Sequence, residues 1–167
     1  MKKILYLAIL CSLSINAFAQ CHYETDKVDK FSGNKVLATK YERILKGDGR
    51  VVDCAARLNG DYKSLSFKYT SFSICSTNEG NKLLFLLSDN SQDTLICGKY
   101  SVAEPVPGSY PTIWTIYVTY TLNNNSIEKL STSKITDIKF YTNDGYVEME
   151  LKEKNQSKIA ELISCIK

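Results

Sequence analysis

The chain has 167 residues, with 21 Lys and Arg against 18 Asp and Glu, six Cys, eleven Tyr and one His. That length suits one domain able to bury a core without staples, and a formal net charge of +3 is too small to neutralise a row of phosphates, so nucleic acid is not an expected partner. One histidine removes most routes to His-dependent catalysis.

Residues 1–19 read as a signal peptide. Lys2 and Lys3 form a positive start, Ile4–Leu13 is an apolar core too short to span a bilayer, and Ala17-Phe18-Ala19 is a small-x-small cleavage site. Residues 20–167 are then a single α+β domain. Losing Lys2 and Lys3 takes the basic count from 21 to 19 against 18 acids, a net of +1. The expected address is periplasmic or extracellular. A lipid anchor on Cys21 is the minor alternative, opposed by Gln20, which is not the small residue such a site needs. No later run is long enough for a transmembrane segment.

Cys21–Ser32 is polar and reads as an extended lead-in, and Asn34–Leu45 as a first strand, followed by a turn at Lys46–Gly49. Asn59-Gly60 is a preferred pair for a two-residue hairpin turn. It sets Leu65 opposite Cys54 and Phe67 opposite Val52, with Ala56 and Leu58 on the same face. Beyond Tyr69 the apolar phase slips to Phe72 and Ile74, which predicts a β-bulge near Thr70-Ser71. Leu83–Leu87 is short and continuously apolar, the pattern of a central strand, and Thr94–Cys97 follows it. The longest irregular segment, Tyr100–Pro111, holds all three prolines. Thr112–Leu122 alternates, with Trp114, Ile116, Val118, Tyr120 and Leu122 on one face. Asn125 and Glu128 resemble a capping box for a short helix with Ile127 and Leu130 on its apolar side.

In Lys134–Lys152 two alternating runs flank Asp144-Gly145. A two-residue turn there places Thr142 opposite Val147, Phe140 opposite Met149 and Ile138 opposite Leu151. On the other face Tyr141 meets Glu148, Lys139 meets Glu150 and Asp137 meets Lys152, so two opposite-charge pairs form. The period then changes to 3.6. Ile159, Leu162, Ile163 and Ile166 form a helical stripe, with Asn155 as its cap and the Phe140/Met149/Ile138/Leu151 face as its expected partner.

These elements predict an α+β fold of about eight mostly antiparallel strands, one short helix and a C-terminal helix packed on the sheet. A lipocalin-like closed β-barrel is the alternative, and the helix at Ser126–Thr132 counts against it. Asp29-Lys30-Phe31-Ser32-Gly33, the Leu-rich strand, SKITDIKFYTNDGYVEMEL and the helix ending in Cys165 together resemble small exported proteins of Bacteroides-type bacteria. The resemblance implies export and a single α+β domain, and it carries no catalytic residues.

Cys11 leaves with the signal, so five cysteines remain, an odd number without CxxC spacing. No metal site or cofactor is expected, and the remaining thiols read as one disulfide among buried apolar cysteines. Elimination pairs Cys21 with Cys165. Cys75 lies ten residues beyond the partner of Cys54, roughly 33 Å at 3.3 Å per residue, and a strand separates Cys75 from Cys97, whereas a disulfide needs Cα atoms within about 7 Å. His22 stands beside the mature N-terminus, a poor place for a rigid base. Glu148 and Glu150 share a face but read as a paired surface, not a glycosidase site, and Asp89, Asn90 and Asp93 read as a polar hairpin loop.

Tyrosine is the unusual residue class. Tyr117 and Tyr141 fall on the polar faces of their strands, and Tyr100 and Tyr110 flank the proline loop. If the two strands pair, these four rings form a ligand-binding patch. The functional expectation is a secreted or periplasmic non-catalytic binding domain for an unknown protein or a small-molecule or glycan ligand. A carrier of a small apolar ligand is the second reading and a carboxylate-dependent hydrolase the third.

Overall fold

The computed structural model describes residues 21–167; the signal reading, on residues 1–19, lies outside them. The described residues form thirteen strands. In chain order they are β1 (Tyr23–Val28), β2 (Lys35–Thr39), β3 (Glu42–Gly47), β4 (Arg50–Asn59), β5 (Tyr62–Ser71), β6 (Ser76–Thr77), β7 (Lys82–Leu87), β8 (Gln92–Ile96), β9 (Ser101–Val102), β10 (Glu104–Pro105), β11 (Trp114–Thr121), β12 (Ile135–Thr142) and β13 (Gly145–Glu150). Two short helices, α1 (Asn124–Thr132) and α2 (Lys158–Ser164), flank the last hairpin, and a 3-10 turn at Glu153–Asn155 leads into α2.

The larger sheet runs β1-β2-β4-β5-β11-β10, with β3 also on β4, and the smaller runs β13-β12-β7-β8. Every pairing between these strands is antiparallel. Both sheets are open, and no closed barrel forms among the described residues. The count exceeds the expected eight for local reasons. The polar lead-in pairs as β1, the run at Asn34–Leu45 breaks into β2 and β3 along one edge of β4, and the proline segment contributes two-residue strands.

Period-two patterning decides which side of each sheet is dry. Val52, Cys54, Ala56, Leu65, Phe67, Tyr69, Ile116, Val118 and Tyr120 line the inner face of the larger sheet, and Leu83, Phe85, Leu87, Ile138, Phe140 and Met149 that of the smaller. Rings join across the gap: Phe67 meets Phe85 at 6.3 Å between centroids, and Tyr120 meets Phe140 at 6.4 Å. Along one side the sheets are knitted by a bridge between Cys97 and Tyr120. The expected central strand, β7, lies between β12 and β8.

Both hairpins keep the expected faces but sit two residues away from the expected registers. In the first, Cys54 lies opposite Phe67 and Ala56 opposite Leu65, so the turn is Gly60-Asp61. Gly60 takes φ +59° while neither Asn59 nor Asp61 has positive φ, a pattern that suits a type II′ turn and not the I′ turn of Asn-Gly. In the second, Ile138 faces Met149, Lys139 faces Glu148 and Thr142 faces Gly145, so the turn is Asn143-Asp144. Both expected charge pairs are lost: Asp137 now stands opposite Glu150, and Lys139 pairs instead with Glu148. A shift of two preserves every inward-facing side chain, so hydrophobic patterning does not discriminate between the registers. Tertiary contacts do. Asn143 donates from its backbone N–H to Ser76 O (2.9 Å), and its side-chain NH2 donates to Ser76 Oγ (2.9 Å) and Asn78 Oδ1 (3.2 Å).

Three further expectations are corrected. β5 pairs with β4 and β11 without a register shift. The phase slip at Thr70-Ser71 is the end of the strand, and Phe72 and Ile74 are exposed. The cap of α1 is Asn123, whose Oδ1 accepts from Ser126 N at 2.8 Å, two residues before Asn125. Helix α2 makes its principal contacts with α1, β4 and β3, where the β12–β13 face was the expected partner. Its stripe of Ile159, Leu162, Ile163 and Ile166 is buried there, while Asn155 spends its side chain elsewhere.

Cys21 and Cys165, the pair reached by elimination, form a disulfide with Cα atoms 5.7 Å apart across 144 residues of sequence. Tyr23 supports it by donating its hydroxyl to Cys165 O at 2.8 Å. Cys54, Cys75 and Cys97 are buried thiols.

Candidate functional site

All four tyrosines singled out from the sequence are exposed: Tyr100 60%, Tyr110 101%, Tyr117 53% and Tyr141 36%. Tyr117 and Tyr141 do not come from neighbouring strands. β11 pairs with β5 and β10, whereas β12 pairs with β7 and β13, so Tyr117 and Tyr141 sit on the outer faces of different sheets. Tyr117 meets Tyr41 edge-on at 6.2 Å, and Lys68 lies 5.9 Å from its ring. Tyr141 meets Tyr146 at 6.0 Å, with Lys139 4.4 Å over Tyr146. Tyr100 and Tyr110 have no ring contact among the described residues. Tyr141 and Tyr146 are an ordinary cross-strand pair, Tyr41 reaches Tyr117 from the link between β2 and β3, and the lysines make cation–π contacts of a sheet surface.

The space between the sheets is filled. The cavity lined by Val52, Phe67, Tyr69, Leu83, Ile138 and Phe140 measures about 10 Å³. A cavity of that size holds about one water at most, whereas small-molecule sites run to hundreds of Å³. The packed aromatic rings leave an apolar ligand no room there.

The molecule opens along the side opposite the Cys97–Tyr120 bridge. Strand β3 pairs only with β4, and β13 only with β12, among the described residues. Their unpaired edges border a groove of about 760 Å³, lined by residues 43–48 and Arg50 on one side and by residues 148–150, Lys152, Lys154, Asn155 and Lys158 on the other. One end is tied by side chains. Asn155 Nδ2 donates to Ile44 O at 2.8 Å, and Lys158 Nζ donates to Arg43 O at 2.8 Å. Ile44 lies at the register shift between β3 and β4, so its carbonyl is met by the 3-10 turn and not by a strand.

Charge distinguishes this groove. Arg43, Lys46, Arg50, Lys152, Lys154 and Lys158 face only Asp48, Glu148 and Glu150. Some of these charges are already satisfied. Arg43 Nε donates to Asp53 at 2.7 Å, which holds its guanidinium above its ordinary value, and Lys139 pairs with Glu148 at 2.8 Å. Lys46, Arg50, Lys152 and Lys154 are exposed and have neither ion pair nor hydrogen bond through their side chains among the described residues.

No family model, curated protein or solved structure matches the chain. The site therefore stands on its own geometry. A smaller cleft of about 250 Å³ lies beside the disulfide, with His22, Glu42 and Glu161 in its wall, and shares Lys158 with the groove. The carboxylates with a clear shift, Asp29 and Asp89, are held low by the hydrogen bonds of Ser32 and Ser91. Both are turn caps, with Asp89 Oδ1 accepting from Ser91 N at 2.9 Å. A general acid needs the reverse shift.

Sequence reasoning passed over the groove because its two walls lie about a hundred residues apart and the chain as a whole is near neutral. The available signal was local: Arg43, Lys46 and Arg50 fall within eight residues, and Lys152, Lys154 and Lys158 within seven.

Proposed function

We propose that the protein is an exported, non-catalytic binding domain, periplasmic or extracellular, and that the groove between β3 and β13 is where it takes an anionic ligand. The observation that carries this reading is the coincidence of roomy, solvent-open space with four unpartnered cations, in a molecule whose interior is packed. The Cys21–Cys165 disulfide supports an oxidising compartment. It also bears on anchoring, because the Cys21 sulfur that forms it is the atom a thioether-linked lipid would occupy. No helix among the described residues is long and apolar enough to cross a membrane.

The test is direct binding. Fluorescence anisotropy with a labelled polyglutamate peptide and with a labelled sulfated oligosaccharide is compared between the natural chain and Lys152→Glu/Lys154→Glu. At least one probe binds, and the double substitution weakens it about tenfold or more, equivalent to about 1.4 kcal/mol, with binding that falls as salt rises. Equal affinities in the two proteins overturn the groove as the site.

A further inference from the structure

We infer that the occupant of the groove is an extended acidic peptide segment of a partner protein, added as a strand to the free edge of β13. The inference rests on the groove being the ligand site and concerns how the ligand is held. Its starting point is the phase of the β12–β13 ladder. Leu151 N–H donates to Thr136 O at 2.7 Å, and the register, continued one pair beyond Asp137 and Glu150, sets these two residues opposite each other. In an antiparallel ladder bonded and non-bonded pairs alternate. Met149 and Val147 therefore turn their backbone groups toward β12, while Glu150, Glu148 and Tyr146 turn theirs outward. Glu148 and Glu150 line the groove, so a row of unsatisfied N–H and C=O groups borders it.

Such an edge is a template for another strand. The facing edge of β3 runs five residues from Arg43 to Gly47, roughly 16 Å at 3.3 Å per residue, which sets the length of a docked segment at four to six residues. Its first two carbonyls are already taken by Lys158 and Asn155, so β13 is the edge with capacity. Charge complementarity selects the sequence of the guest. Lys46, Arg50, Lys152 and Lys154 stand unpartnered around the groove, and carboxylates on the peptide supply what they lack. The side chains of Val147 and Met149 point toward the core, so apolar residues suit the alternate positions of the guest.

The experiment uses the disulfide-bonded chain and a fluorescein-labelled ten-residue peptide of alternating Val and Glu. A Val-Lys peptide and a sulfated oligosaccharide serve as comparisons. Glu148→Pro removes one outward N–H without touching the ladder to β12, a position where an edge strand tolerates proline, and Glu148→Ala controls for the lost carboxylate. The expected result is binding of the Val-Glu peptide alone among the peptides, weakened tenfold or more by Glu148→Pro relative to Glu148→Ala, which loses the same carboxylate but keeps the backbone N–H. Amide hydrogen exchange at Tyr146, Glu148 and Glu150 slows in the complex. A peptide that binds equally to Glu148→Pro and leaves those amides unprotected overturns strand addition, even where Lys152→Glu/Lys154→Glu still abolishes binding and the groove stands. Binding of the oligosaccharide with no binding of the peptide overturns the proposal in favour of an anionic glycan. Failure of every probe overturns it together with the groove reading.

Discussion

At the scale of single residues, the informative groups are the buried thiols. Burial pushes the Cys54 thiol well above its ordinary value of 9.0, with the nearby Asp53 carboxylate adding to the effect, and burial followed by Asp144 raises Cys75. A raised thiol pKa means that the folded protein keeps a proton that the unfolded chain releases. Stability from this source is whole below the unfolded value and declines as pH rises past it. Between pH 7 and 10 the natural chain should therefore lose about 1.4 kcal/mol more stability than Cys54→Ala, the amount of one pH unit beyond 9 for one proton. Urea titrations of both proteins at the two pH values measure the difference, and parallel pH dependence in the two contradicts it. The tyrosines teach a related lesson. Outward placement of Tyr117 and Tyr141 was legible from strand alternation alone, because parity fixes the face. Their separation was not, because parity says nothing about which strands become neighbours.

At the scale of elements, identity was easier to read than boundary. The alternation in β11 and β12 and the helical stripe of α2 are strong periodic signals, and each produces the expected buried set: Ile116, Val118 and Tyr120, then Ile138 and Phe140, then Ile159, Leu162 and Ile163. Turn registers and caps were missed by two residues because several Asn, Asp and Gly residues in a row offer equivalent local chemistry. Three consecutive asparagines precede Ser126, and only Asn123 places its side chain on an open N–H. Asn123→Ala should therefore lower stability by about 1 kcal/mol, while Asn125→Ala stays within about 0.5 kcal/mol of the natural chain. Thermal unfolding of the two variants distinguishes them, and equal losses would show that the cap is shared.

At the scale of the whole molecule, the Cys21–Cys165 bridge joins the first strand to the end of α2. It closes a loop of 144 residues, for which the chain-entropy account gives a ceiling of about 5 kcal/mol. Cys21→Ala/Cys165→Ala should unfold at lower urea with a loss of about 2–5 kcal/mol, and an unchanged midpoint would show that the β1 and α2 contacts hold the ends together by themselves. The open seam belongs to this scale too. By itself the sequence determined the antiparallel α+β class, the inward faces, the two helical segments and the one cysteine pair, because each follows from local period or from the reach of an extended chain. Only the tertiary structure decided how the sheets meet, joined at Cys97 and Tyr120 and parted at β3 and β13. That arrangement depends on the bulge at Ile44, the anchoring of Asn143 by Ser76 and Asn78, and the docking of α2 on α1. These are contacts between residues up to 67 positions apart in the sequence, and no periodicity within a strand encodes them. The cations of the groove converge for the same reason: each stretch carries its charge locally, and the packing of two sheets sets them face to face.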